Sequence, residues 1–160
     1  MTTLFTTSRL TLQLLHLKDA PFIQTLVNTP GWLQFIGDRK IHTITAAEEY
    51  ITKILNNQAI TYYIVTLKGQ PITIGLITLI KRTYLNHPDI GFAFLPEFEK
   101  KGYAFEAASV VLNHFKAQLP TIHATTLASN TPSIQLLKKL GFIFTKTIEN
   151  EGQVLQVYST

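Results

Sequence analysis

The 160-residue sequence has no cysteine, which excludes disulfides, thiolate metal sites and cysteine nucleophiles and suits a reducing compartment. No apolar run approaches the roughly 18 residues a membrane span needs. The opening stretch, Met1 to Arg9, lacks the basic-then-apolar order of a secretory signal. The expectation is a soluble, cytoplasmic protein without a membrane partner. Only 15% of residues are charged, and 8 Gly and 7 Pro are too few for a fibrous or low-complexity chain. Neither an arginine-rich stripe nor an interleaved aromatic platform is present, so direct nucleic-acid binding is not expected. A Gly-Lys-Ser/Thr phosphate loop is also missing, which ranks a nucleotide-binding domain of another fold last. His16, His42, His114 and His123 are too scattered to suggest a metal site, and none is proposed.

What is present is 46% hydrophobic residues and a formal charge of +4, a mild bias toward anionic ligands. Thr11 to Leu15 reads as a strand. Asp19-Ala20-Pro21 then reads as the cap of a helix whose apolar face is Phe22, Ile23, Leu26 and Val27, ended by Pro30-Gly31. Thr45-Ala46-Ala47-Glu48 has the form of a capping box and opens a second helix to about Asn57. Tyr62 to Leu67 and Ile72 to Ile80 read as a hairpin around Lys68-Gly69-Gln70-Pro71, and Asp89 to Leu95 as a further strand stopped by Pro96. Gly102 to Leu119 has a helical period, Ile122 to Leu127 is a strand and Pro132 to Leu140 a helix. Strands Phe142 to Thr147 and Gln153 to Tyr158 close the chain. The order β-α-α-β-β-β-α-β-α-β-β, with no repeat and no linker, predicts one α/β domain over residues 1–160 with a mixed sheet.

The richest stretch joins the strand ending at Leu95 to the helix starting at Gly102. N–H groups at a helix start have no intrahelical partner and sit at the positive end of the dipole, a ready site for a pyrophosphate. Gly102 and Ala104 leave the approach open, and Lys100 and Lys101 add charge. Gly91, inside the preceding strand, suggests a bulge or a close backbone approach. A bulge would leave main-chain groups unpaired for an extended ligand. Asn130-Thr131-Pro132-Ser133 opens a second helix after a strand, and the two helix starts are expected to face each other across a splayed sheet.

Lys101-Gly102-Tyr103-Ala104-x-Glu106-Ala107, preceded by Ile90-Gly91-Phe92 and Pro96, resembles the cofactor motif of the GNAT acetyltransferases. Asn130-x-x-Ser133-x-x-Leu136-x-x-Lys139-Leu140-Gly141-Phe142 is similar to the second motif of that superfamily. Ser8-Arg9-Leu10-Thr11-Leu12 followed by Asp19-Ala20 resembles the opening of its ribosomal-protein (Rim-type) branch. The resemblance spans nearly the whole chain. It implies an α+β, GNAT-like splayed and mostly antiparallel sheet flanked by helices, and acetyl transfer from acetyl-CoA to a primary amine, a protein N-terminus or a small molecule. It further implies that main-chain groups of Phe92 and Phe94 hold the pantetheine arm, as an added strand would. The amides of Lys100, Lys101, Gly102, Tyr103 and Ala104 would take the pyrophosphate, Asn130 would contact the pantetheine, and Ser133 would lie near the thiol sulfur. A strand N–H would polarise the thioester carbonyl.

Two positions depart from the family pattern. Glu99 stands where the phosphate motif begins with Gln or Arg, and Leu137 where many relatives carry a tyrosine general acid. They motivate an alternative, a non-catalytic acyl-CoA-binding or regulatory module. Transfer to an amine needs a proton acceptor, and Asp89, at the start of the strand beside the expected bulge, is the first candidate. His87 has the better intrinsic pKa but precedes a proline in a turn. Ser133 is either the proton donor to the leaving thiolate or a first-turn residue, and Asn130 either a ligand or an N-cap. Trp32, between the first two helices, is read chiefly as packing. The acceptor amine is the expected partner, and a homodimer is left open.

Overall fold

β-Branched and aromatic residues, which pack well on a pleated surface, fill the segments that become strands. In the computed structural model, which describes residues 3–160, these form one 8-stranded sheet in the order β1-β2-β3-β4-β5-β6-β8-β7. Met1 and Thr2, where the N-terminal reading begins, lie outside the described residues. The elements are β1 (Phe5–Thr6), β2 (Leu10–Leu14), α1 (Ala20–Val27), α2 (Pro30–Phe35), α3 (Ile44–Leu55), β3 (Ile60–Leu67), β4 (Thr73–Ile80) and β5 (Asp89–Phe94). They continue with α4 (Tyr103–Phe115), β6 (His123–Thr126), α5 (Thr131–Lys139), β7 (Ile143–Asn150) and β8 (Gln153–Ser159). The α/β class and the expected order are recovered, with β1 and α2 added.

Every neighbouring pair in the sheet is antiparallel except β5 with β6. That parallel pair is bridged only at Asp89 and His123. Beyond this point β5 follows β4 while β6 turns to pair with β8, so the sheet divides. Helices cover both faces. Val65, Ile77, Ile90, Val111, Leu112 and Leu137 pack on the side of α4 and α5. Ile23, Leu26, Trp32, Ile51, Tyr62 and Ile64 pack on the side of α1 to α3. Tyr62 to Val65 are therefore buried without interruption, because successive side chains enter two different cores.

Local signals were misread at three places. Asp19 does not cap α1; its carboxylate accepts the His16 N–H at 2.8 Å while His16 accepts from Lys18, closing a reciprocal box around the short turn Leu17–Asp19. Pro30 begins α2 as well as following α1, because a proline at the first helical position loses no hydrogen bond, and Thr29 caps it. The cap of α3 is Thr43, whose hydroxyl accepts the Ala46 N–H at 3.0 Å, so Thr45 already lies inside the helix.

The expected bulge at Gly91 is absent. β4 and β5 pair in unbroken register from Gly75 with Phe94 to Ile80 with Asp89. The alternative, a close approach, is what the glycine serves: a Cβ on Gly91 would stand 2.6 Å from Thr78 Oγ1. Gly75 has the same use, since a Cβ there would fall 2.4 Å from the Phe94 ring.

Candidate active site

The divergence of β5 and β6 leaves one edge of β5 without a partner strand. The Leu95 N–H donates to the Ile74 carbonyl at 2.9 Å on the β4 side. Main-chain groups alternate along a strand, so the N–H and C=O of Phe92 and Phe94 point the other way, into the gap. These are the two residues expected to hold an extended ligand, and their availability comes from strand divergence instead of a bulge. Because β5 and β6 run parallel, the chain leaves both at the same end, and the starts of α4 and α5 stand at the mouth of that gap.

The loop into α4 has the backbone of an anion cradle. Glu99 is extended, Lys100 has φ +60° and Gly102 has φ +82°, and α4 starts with no side chain capping it. A left-handed residue running directly into a right-handed helix, as Gly102 does, turns successive N–H groups inward into a concavity that suits anions. The first helical bond runs from the Glu106 N–H to the Gly102 carbonyl at 3.1 Å, which leaves the Tyr103, Ala104 and Phe105 N–H groups without an intrahelical acceptor. Lys100 and Lys101 are exposed beside this cradle. Glu99 is also exposed and forms no ion pair among the described residues.

Across the gap, Asn130 caps α5, its Oδ1 accepting the Ser133 N–H at 3.3 Å. The cap uses only that oxygen, and the Asn130 amide NH2 and the Ser133 hydroxyl have no hydrogen bond to another described residue. Leu137 is buried in the core under α5, so the position supplies neither an acid nor a group facing the gap. Trp32 lies in the core between α1 and α3; its Nε1 is buried without a partner, and the Arg39 guanidinium sits 5.9 Å from its ring.

Asp89 occupies the vertex where the sheet divides. The residue is 3% exposed, and its carboxylate receives three donors: Arg82 Nε at 3.0 Å, the Thr125 N–H at 3.1 Å and the Thr125 hydroxyl at 3.3 Å. Burial pushes its pKa up to about 6, against the opposing pull of Arg82 and Thr125. Opposite it, His123 bonds Ser159 Oγ through Nδ1 at 2.6 Å and packs against His87, with ring centroids 5.3 Å apart. Burial, helped by His87 and Lys146, lowers the His123 pKa. His87, second to Asp89 as a proton acceptor, is thus in the same cluster. Arg82, Thr125, His123 and Ser159 escaped the sequence reading because strand pairing alone brings them together. Arg9, which bonds Glu106 and the Lys101 carbonyl at the start of α4, was legible only as part of an opening motif. Among the described residues no group of His, Asp or Glu could hold a metal ion.

A sequence model of the acetyltransferase (GNAT) domain matches residues 9–143. The chain belongs to this family. This GNAT acetyltransferase is 29% identical over 138 residues to the uncharacterized N-acetyltransferase YnaD of Bacillus subtilis, a match that covers 85% of the chain and 80% of YnaD. Among solved structures, RimL, a ribosomal L7/L12 alpha-N-protein acetyltransferase in complex with coenzyme A, superposes with a TM-score of 0.84 at 13% identity, covering 99% of this chain and 97% of that one. Spermidine N-acetyltransferase from Vibrio cholerae, in complex with CoA and spermine, gives 0.79 at 22% identity, with 96% of each chain covered. At such identities the structural likeness establishes the fold. The GNAT acetyltransferase thus has the divided sheet, and the loop before α4 falls inside the family match.

Proposed function

We propose that this acetyltransferase moves an acetyl group from acetyl-CoA to a primary amine by direct transfer, in the manner of the ribosomal-protein branch of its family. The observation that carries the reading is the continuity of the unpaired β5 edge with the uncapped, left-handed loop at the start of α4. A strand edge that ends in an anion cradle fits a long ligand with amide groups along its arm and phosphates at one end. Phe92 and Phe94 would hold the arm through their main chain, the amides of Lys100 to Ala104 the diphosphate, and Asn130 the arm from the far side. Both CoA complexes among the related folds support this reading.

Acetyl-CoA when bound supplies an acyl group activated as a thioester. The chain's own part is to orient the amine, take its proton and donate one to the departing sulfur. Asp89 at about pKa 6 is ionised at neutral pH and stands at the vertex, where it would accept the amine proton, with Arg82 and Thr125 fixing its orientation. The Ser133 hydroxyl is the proton donor, and an N–H on the free edge of β5 polarises the carbonyl.

The acceptor is either a protein N-terminus or a small amine such as a polyamine, the two classes named for the related folds. The absence of cysteine supports a cytoplasmic location. A non-catalytic CoA-binding module is favoured by two observations: Leu137 is buried where an acid is expected, and all three donors to Asp89 are in place. Acetyl-CoA consumption measured against N-terminal peptides and polyamines decides between them. Turnover with one amine class supports the enzyme, whereas CoA binding without turnover on any amine supports the module. Failure to bind CoA overturns both.

A further inference from the structure

Arg9 lies in the turn between β1 and β2, yet its side-chain bonds are all made at the start of α4. Its Nε donates to Glu106 Oε2 at 2.7 Å, its backbone N–H to Glu106 Oε1 at 3.0 Å, and its Nη1 to the Lys101 carbonyl at 3.0 Å. The guanidinium carbon is 4.4 Å from the centre of the Tyr103 ring, and a Cβ on Gly102 would stand 3.3 Å from Nη2. The Thr7 hydroxyl donates to Glu106 Oε1, and the Ser8 hydroxyl reaches the same oxygen at 3.3 Å. One side chain thus touches Lys101, Gly102, Tyr103 and Glu106.

Two physical problems of the cradle meet in this knot. Lys100, a non-glycine residue at φ +60°, is in a conformation that persists only where its surroundings over-determine it. The Arg9 fork pins the next carbonyl in line. The second problem is Glu106, a carboxylate in the first turn of a helix, where it could itself satisfy the free N–H groups and repel an anion. Its two oxygens are instead drawn toward the β1–β2 turn. Burial favours the protonated acid, but the bonds from Thr7 and Arg9 outweigh it and hold the carboxyl below the usual carboxylate range. Glu106 is thus ionised, with its charge matched by Arg9 and turned away from the cradle.

We infer that Arg9 is a positioning residue for the diphosphate cradle, holding the Lys101–Gly102 backbone in its anion-binding form and keeping Glu106 from competing for the helix start. The inference rests on the reading that this loop takes the cofactor's phosphates. An ordinary surface ion pair would add a little stability and leave the ratio of CoA to pantetheine affinity unchanged.

The test uses the full chain with Arg9→Gln and Arg9→Lys. Affinity is measured for CoA and for pantetheine, which has the same arm without phosphates, and amide exchange of residues 100–104 is followed in the free protein. Arg9→Gln is expected to weaken CoA roughly tenfold, the scale of one charge-assisted hydrogen bond, while pantetheine changes less than about twofold. Residues 100–104 should exchange faster, and β3 and β4 as in the wild type. Arg9→Lys keeps the charge and stem but not the fork; it should fall between the two and decides the matter alone if Arg9→Gln does not fold. An unchanged CoA-to-pantetheine ratio in the variants, or loop exchange identical to wild type, overturns the inference. Wild-type protein that does not prefer CoA to pantetheine overturns the reading of the loop, and the inference with it.

Discussion

Glu99 places a carboxylate at the edge of the cradle proposed to take phosphates, exposed and without a paired cation among the described residues. Replacing it with glutamine removes the charge and keeps the shape. Glu99→Gln should therefore tighten CoA binding by roughly tenfold or less, the range of a screened surface charge; calorimetric titration that shows no tightening would mean the carboxylate is directed away from the phosphates. Gly102 works in the opposite direction. At φ +82° a β-branched side chain is strained by about 1–2 kcal/mol, and its Cβ would press on Arg9 Nη2 at 3.3 Å. Gly102→Val should raise the acetyl-CoA KM at least roughly tenfold, about 1.4 kcal/mol, with the protein still folded. An unaltered KM would remove the phosphates from this loop.

At the scale of elements, the ladder between β4 and β5 sets where the free edge begins. The Phe94 ring covers Gly75, so the last residue of β5 before the loop into α4 is anchored by the absence of a side chain on its partner. Gly75→Ala puts a methyl 2.4 Å from that ring and must displace it. The expected cost is about 1–3 kcal/mol, as for other overpacked cores, read as a lower midpoint in urea. Phe94→Leu in the same chain should recover part of the loss, and strict additivity of the two changes would show that the contact is not what couples them. The strands themselves were readable from apolar, β-branched runs. The purpose of their glycines was not, because whether a missing Cβ serves a bulge or a cross-strand contact depends on the residue opposite, and register is a tertiary fact.

At the scale of the whole molecule, Asp89 ties the two halves of the divided sheet, receiving Arg82 from the connection between β4 and β5 and Thr125 from β6. Burial raises its folded pKa from 3.8 to about 6, so the folded state holds a proton that the unfolded chain has already released. The resulting stabilisation is complete below about pH 4 and is lost as pH rises through about 6. Asp89→Asn, which mimics the protonated form, should gain stability relative to wild type across that window, by up to about 3 kcal/mol for a shift of this size. A difference between the two unfolding free energies that stays flat with pH would show that the buried carboxyl is not titrating there. If Asp89 also takes the amine proton, wild-type kcat falls below about pH 6, and the variant has a low kcat without that acidic limb. A retained limb assigns the proton to another group in the cluster, with His123 next to be tested.

The sequence by itself determined the order of the main elements, β1 and α2 apart, the start of α4 at Gly102 and the start of α5 after Asn130. Each depends on backbone angles and hydrogen bonds within a few residues of chain, so local residue types are enough to specify them. Only the tertiary structure decided that the gap opens at Asp89 and His123, that the Asp89 carboxylate is held by Arg82 and Thr125, and that Arg9 bonds Glu106 and the Lys101 carbonyl. The bond from Arg9 to Glu106 closes a separation of 97 residues. Contacts of that range leave no periodicity in the sequence; they come into being when the β1–β2 turn and α4 pack together on one sheet.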